Sequence, residues 1–123
     1  MATGTAKRSS ERVQPDWQTV EELLARLAAT GERFPTVTSS SNWISAYQPG
    51  WRFRLERQGG SRWIEIASVR GCWETFERLG RICRRDLLEP GRCSAFMMAL
   101  FQQVAGIREE TGDEPRLVLP GRR

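Results

Sequence analysis

The sequence has no histidine, one lysine, one tyrosine and three cysteines in 123 residues. Without histidine there is no His-based catalytic triad and no His metal site. Cys72, Cys83 and Cys93 stand 11 and 10 positions apart, which is not the spacing of paired metal ligands. An odd cysteine count with no signal peptide ahead of it also argues against a secreted disulfide scaffold and for a reducing compartment. The N-terminus has no apolar h-region, and the longest apolar run, AFMMALF at 95–101, is far shorter than the ~20 residues a membrane-spanning helix needs. A cytoplasmic protein without a membrane partner is the expectation.

The same scarcities argue against catalysis. Glu65 in WIEIAS is a strand carboxylate of the kind that metal-dependent nucleases use, but that chemistry adds a second acid and a nearby lysine. The one lysine is Lys7, in the leader. Cys72 stands near a helix start, where a thiol can become acidic, but a buried structural thiol is the favoured account. Gly59 and Gly60 are explained by a hairpin, leaving no glycine-rich phosphate loop. The expectation is a non-enzymatic protein with no catalytic residue, metal or cofactor.

What the chain does have is arginine. Of its 19 basic residues 18 are arginine, the net charge is +4 and the isoelectric point is about 9.6. Clustered cations favour polyanions by releasing counterions from phosphates. Here residues 1–15 contribute +2 and residues 113–123 contribute +1, leaving +1 for the middle. The arginine skew is also what a GC-rich coding sequence produces, so charge alone does not assign a function.

Length and composition fit one domain. Residues 1–14 read as a flexible leader, 15–110 as a single α+β domain and 111–123 as an extended or disordered tail. In PDWQTVEELLARLAATGERF, Asp16 or Thr19 can cap a helix that ends at Gly31, with Trp17, Val20, Leu23, Leu24 and Leu27 on one stripe. The period then changes to two. QPGW at 48–51 suits a type II turn and QGGS at 58–61 a two-residue hairpin, predicting a three-stranded antiparallel meander over 42–48, 51–57 and 61–68.

Turn geometry fixes register, and register sorts side chains onto faces. Ile44, Ala46, Phe53, Leu55, Ile64 and Ile66 form the expected core face. The outer face receives Trp43, Ser45, Tyr47, Arg52, Arg54, Glu56, Trp63 and Glu65. Arginine there can pair with phosphates and aromatic rings can stack on bases, so Trp43, Tyr47, Arg52, Arg54 and Trp63 are candidate DNA or RNA contacts. The same residues also make an ordinary sheet exterior, with Glu65 expected opposite Arg54 and Glu56 opposite Trp63.

The C-terminal part is helical but interrupted. Gly80 can stop CWETFERLG, a short helix RRDLL would follow, and a longer one would run from about Ser94 to Ile107; a continuous helix over 71–88 is the alternative. This rhythm resembles a winged-helix-like arrangement packed on one sheet face. Its last helix, however, is apolar on nearly every side, which suits burial or a partner surface better than a DNA groove. If the region contacts nucleic acid, Arg81, Arg84, Arg85 and Arg92 at the turns are the candidates. The competing function is a protein-interaction module, self-associating or binding a partner through Met97, Met98 and Phe101.

Overall fold

The computed structural model describes residues 14–36, 41–87 and 93–121. It shows an α+β fold: an N-terminal helix, a three-stranded antiparallel sheet, and further helices beside a second sheet. Helix α1 (Trp17–Thr30) opens on a capping box. The Asp16 carboxylate accepts from the Thr19 backbone N–H, while the Thr19 hydroxyl accepts from the Asp16 N–H. At the other end Gly31 takes φ +66°, and its N–H bonds the Leu27 carbonyl. The stripe Val20, Leu23, Leu24 and Leu27 is buried, and α1 lies against β1.

Strands β1 (Trp43–Gln48), β2 (Arg52–Arg57) and β3 (Gly60–Glu65) form the expected meander in the order β1-β2-β3. Two details of register differ from expectation. Around the first turn, Gly50 has φ +77° and the Trp51 N–H bonds Gln48 O, as a type II turn requires, but pairing resumes only at Gln48↔Arg52. The loop is therefore one residue longer than a two-residue turn. An irregularity between Ile44 and Ala46 absorbs the extra residue. Trp43↔Glu56 and Ile44↔Leu55 keep the expected register, while Tyr47 moves opposite Phe53 and Ala46 opposite Arg54. Tyr47 and Ala46 thus exchange faces.

In the second hairpin Gln58 and Gly59 form the loop, and Gly60, at φ +137°, begins β3. Pairing shifts by two residues, to Phe53↔Ile64, Arg54↔Trp63 and Arg52↔Glu65. An even shift changes partners but not faces, so Phe53, Leu55 and Ile64 still point to the core. Glu65 accordingly lies opposite Arg52 rather than Arg54, and Glu56 opposite Ser61 rather than Trp63.

Helix α2 (Ile66–Leu79) begins directly after β3, so Ile66 is a buried helical residue and not a strand partner of Phe53. Gly80 ends it at φ +81°, giving the interrupted form of the 71–88 region. The expected short helix in RRDLL is present as a 3-10 helix, but a strand precedes it among the described residues. After Gly80 the chain makes β4 (Arg81–Cys83), a 3-10 turn (Arg84–Leu87) and α3 (Ser94–Gln102). The short strands β5 (Arg108–Glu110) and β6 (Arg116–Val118) complete a second antiparallel sheet in the order β4-β6-β5. Residues 116–118, in the expected tail, are thus its central strand.

One hydrophobic cluster draws on every one of these elements except β5. Phe96 of α3 lies 5.8 Å from Phe34 and 5.6 Å from Phe53, docking α3 on the core side of β2. Phe101 lies 5.2 Å from Trp73 and 6.0 Å from Phe76, tying α3 to α2. Leu117 of β6 and Ile82 of β4 belong to the same cluster. The outer face of β1–β3 is the sheet surface pointing away from that cluster. Among the described residues no helix is long and apolar enough to cross a membrane.

Candidate nucleic-acid interface

Adjacent residues in a strand point to opposite faces, so a Trp-Arg dipeptide within a strand cannot present both side chains together. Trp51 escapes this rule because it lies in the turn. Its N–H bonds Gln48 O, and its carbonyl accepts from the Ile66 N–H, so its backbone is pinned on both sides. From there the Trp51 indole meets the Arg52 guanidinium at 4.1 Å from ring centroid to Cζ. Trp63, diagonally across on β3, meets the same guanidinium at 4.1 Å. Arg52 is held between two indoles, and its Nε donates to Gln48 Oε1 at 2.8 Å.

This stack faces water. Trp51 is 54% exposed and Trp63 40% exposed, two of the few large apolar side chains at the surface. Contacts of this type contribute about 0.5–1 kcal/mol each at exposed sites, enough to fix rotamers without burying the rings. Among the described residues no carboxylate forms an ion pair with Arg52. Glu65, its cross-strand neighbour, shares the face without forming an ion pair with it, and the guanidinium sits beside two exposed indoles.

The rest of the face is more fully satisfied. Arg54 Nε lies 3.2 Å from Glu56 Oε2, and its Nη2 donates to Ser61 Oγ at 2.8 Å. Glu56 also accepts from Ser45 Oγ at 2.6 Å. At the far end Arg33, in the loop after α1, stacks 3.9 Å over Trp43 and donates to Ser41 Oγ. Trp43, Arg52, Arg54 and Trp63 therefore share one surface as expected. Trp51 and Arg33 join them, both missed because each lies outside a strand. Tyr47 does not: the β1 irregularity turns it to the core side, where burial and the nearby Glu21 carboxylate raise its pKa from 10.0.

The arginines of the helix turns are placed differently. Arg81 pairs with Glu110 at 3.7 Å, Arg85 with Glu114 at 2.9 Å, and Arg84 Nε donates to Ser94 Oγ at 3.0 Å. Arg92 lies outside the described residues. Two of the three residues expected at a partner interface are core: Phe101 is fully buried and Met97 nearly so. Their apolar surroundings are supplied by the chain's own α2 and sheets. Met98 alone is half-exposed, on a cleft of about 460 Å³ that Ala99 and Leu117 also line.

Searches against protein-family models, curated proteins and solved structures return no match for this chain.

Proposed function

We propose that this is a non-enzymatic nucleic-acid-binding protein that uses the outer face of β1–β3 to hold single-stranded DNA or RNA. The observation that carries this reading is the Trp51–Arg52–Trp63 stack, with a cation between two exposed indoles on a surface that no hydrophobic cluster claims. Both indoles touch the guanidinium and stay 54% and 40% exposed, leaving ring surface on which an unpaired base can stack. Only an unpaired base offers its π-face, so the reading specifies single strands. Arg52 and Arg33 supply phosphate contacts, and the Arg54–Glu56 pair holds the sheet surface between them.

The test is fluorescence anisotropy of labelled single- and double-stranded oligonucleotides over a range of salt. The wild type should bind single strands more tightly, with affinity falling as salt rises. Arg52→Ala removes one phosphate contact and should reduce the log-log salt slope by about 0.7. Equal affinity for duplex and single strand, or no change in slope, would count against the reading.

A further inference from the structure

The β2–β3 register places two further arginines at the hairpin end of the sheet's core side. Arg62 lies opposite Leu55 and Arg57 opposite Gly60, so the two are diagonal neighbours on one face. Beyond Leu55 that face runs past the hydrophobic core and opens onto the start of α3. A crevice of about 230 Å³ there is lined by Arg57, Arg84 and Cys93, and its described lining includes no carboxylate. Among the described residues Arg57, Arg62 and Arg84 form no ion pair. Burial raises the pKa of the Cys93 thiol, with Arg62 and Arg57 acting in the opposite direction, which places both guanidinium charges in its vicinity.

The crevice shares Cys93 with a second depression of about 300 Å³ at the β3 side, which Arg62, Trp63 and Glu65 also line. Because β3 is an edge strand, no neighbouring strand of that sheet separates its two faces there. A chain leaving the Trp63 ring can therefore pass over the edge and meet Arg62 next.

The geometry points to a second contact region for the same ligand: the phosphodiester backbone of a single strand stacked on Trp51 and Trp63 turns over the β3 edge and is held by Arg57, Arg62 and Arg84. This rests on the outer face binding single strands. Arg57 and Arg84 line the crevice, Arg62 and Trp63 line the neighbouring depression, and Cys93 lines both. Three guanidiniums that form no ion pair among the described residues thus lie along one route and match a run of phosphates. Arg84 is oriented by its bond to Ser94 Oγ.

Two readouts separate the inference from the reading it rests on. Quenching of Trp51 and Trp63 fluorescence reports stacking on the outer face. The alkylation rate of Cys93 reports the crevice, because Cys72 and Cys83 are buried and Cys93 only partly so; Cys93→Ser supplies the background. With a single-stranded oligonucleotide about ten nucleotides long, the wild type should show both quenching and slowed alkylation. The Arg57→Gln, Arg62→Gln variant should keep the quenching, lose the protection, and show a salt slope lower by about 1.4 for two lost phosphate contacts. Quenching without protection in the wild type would overturn the inference and leave the outer face standing. Protection that persists in the double variant would overturn it as well, and absence of both signals would overturn the reading together with the inference.

Discussion

Replacing Phe101 with alanine tests whether α3 is core or contact surface. Phe101 is fully buried, packs edge-on to Trp73 at 5.2 Å, and stacks with Phe76 at 6.0 Å. Truncating a buried phenylalanine costs about 3–5 kcal/mol in transfer and cavity terms. Two aromatic partners place this site toward the upper end of that range. A domain of this size is stable by roughly 5–15 kcal/mol, so the loss is a third of the total or more. With a urea m-value near 2 kcal/mol/M, the unfolding midpoint should fall by roughly 2 M. Met98→Ala on the neighbouring half-exposed position should shift it by less than about 0.5 M. The assay is urea unfolding followed by circular dichroism at low protein concentration. If Phe101→Ala leaves the midpoint within about 0.5 M of wild type, Phe101 is not core and the partner-interface reading of α3 revives.

Three other outcomes follow from local geometry. Gly80→Ala forces a side chain into φ +81° and should destabilise by about 1–2 kcal/mol, whereas Gly71→Ala, inside α2 with nothing within 4 Å of the added carbon, should stabilise by about 0.5–1 kcal/mol. Thermal unfolding of the two variants should thus move in opposite directions. The Asp16 pKa is lowered from 3.8, first by the Thr19 backbone N–H and then by its hydroxyl, so the stabilisation is present above that value and lost as pH falls through the folded pKa. The difference in urea midpoint between wild type and Asp16→Ala should shrink correspondingly in acid. Tyr47, the single tyrosine, has its pKa raised from 10.0 by burial and by Glu21; its stabilising effect holds below pH 10.0 and is lost as pH rises toward the folded value. Tyrosinate absorbance should appear later than in the unfolded chain, and earlier in Glu21→Gln than in wild type.

Much of this architecture was legible in the residues that set it. Asp16, Gly31 and the stripe Val20, Leu23, Leu24 and Leu27 specify α1 almost completely, because caps and periodicity are local signals. Pro49-Gly50 places the first turn of the meander, and the second falls one residue before the Gly59-Gly60 centre, at Gln58-Gly59. Loop length was harder to read: one extra residue at Trp51 and a compensating irregularity at Ser45 reverse Tyr47 and Ala46 while leaving Trp43 and Ile44 in place. The alternation WIEI continues past Glu65, so Ile66 reads as strand although it begins a helix. Strands β4, β5 and β6 have three residues each, too few for a period of two to register. The candidate site was half visible for the same reason. Arg52, Arg54, Trp43 and Trp63 follow from alternation, whereas Trp51 and Arg33 reach the face only through loop geometry. The apolar character of α3 admits both burial and a partner, and only the packing of Phe101 on Trp73 and Phe76 shows which of its side chains are core.

The central claim is that exposed indoles on the outer face stack on unpaired bases, and an abasic strand tests it most directly. Such a strand keeps the phosphates and the charge but has no π-face to offer. Stacking is worth about 1–3 kcal/mol per base, so with two indoles the wild type should bind a normal single strand at least about tenfold more tightly than an abasic strand of equal length. Equal affinity for the two would mean that arginine alone holds the ligand and that Trp51 and Trp63 have no part in binding.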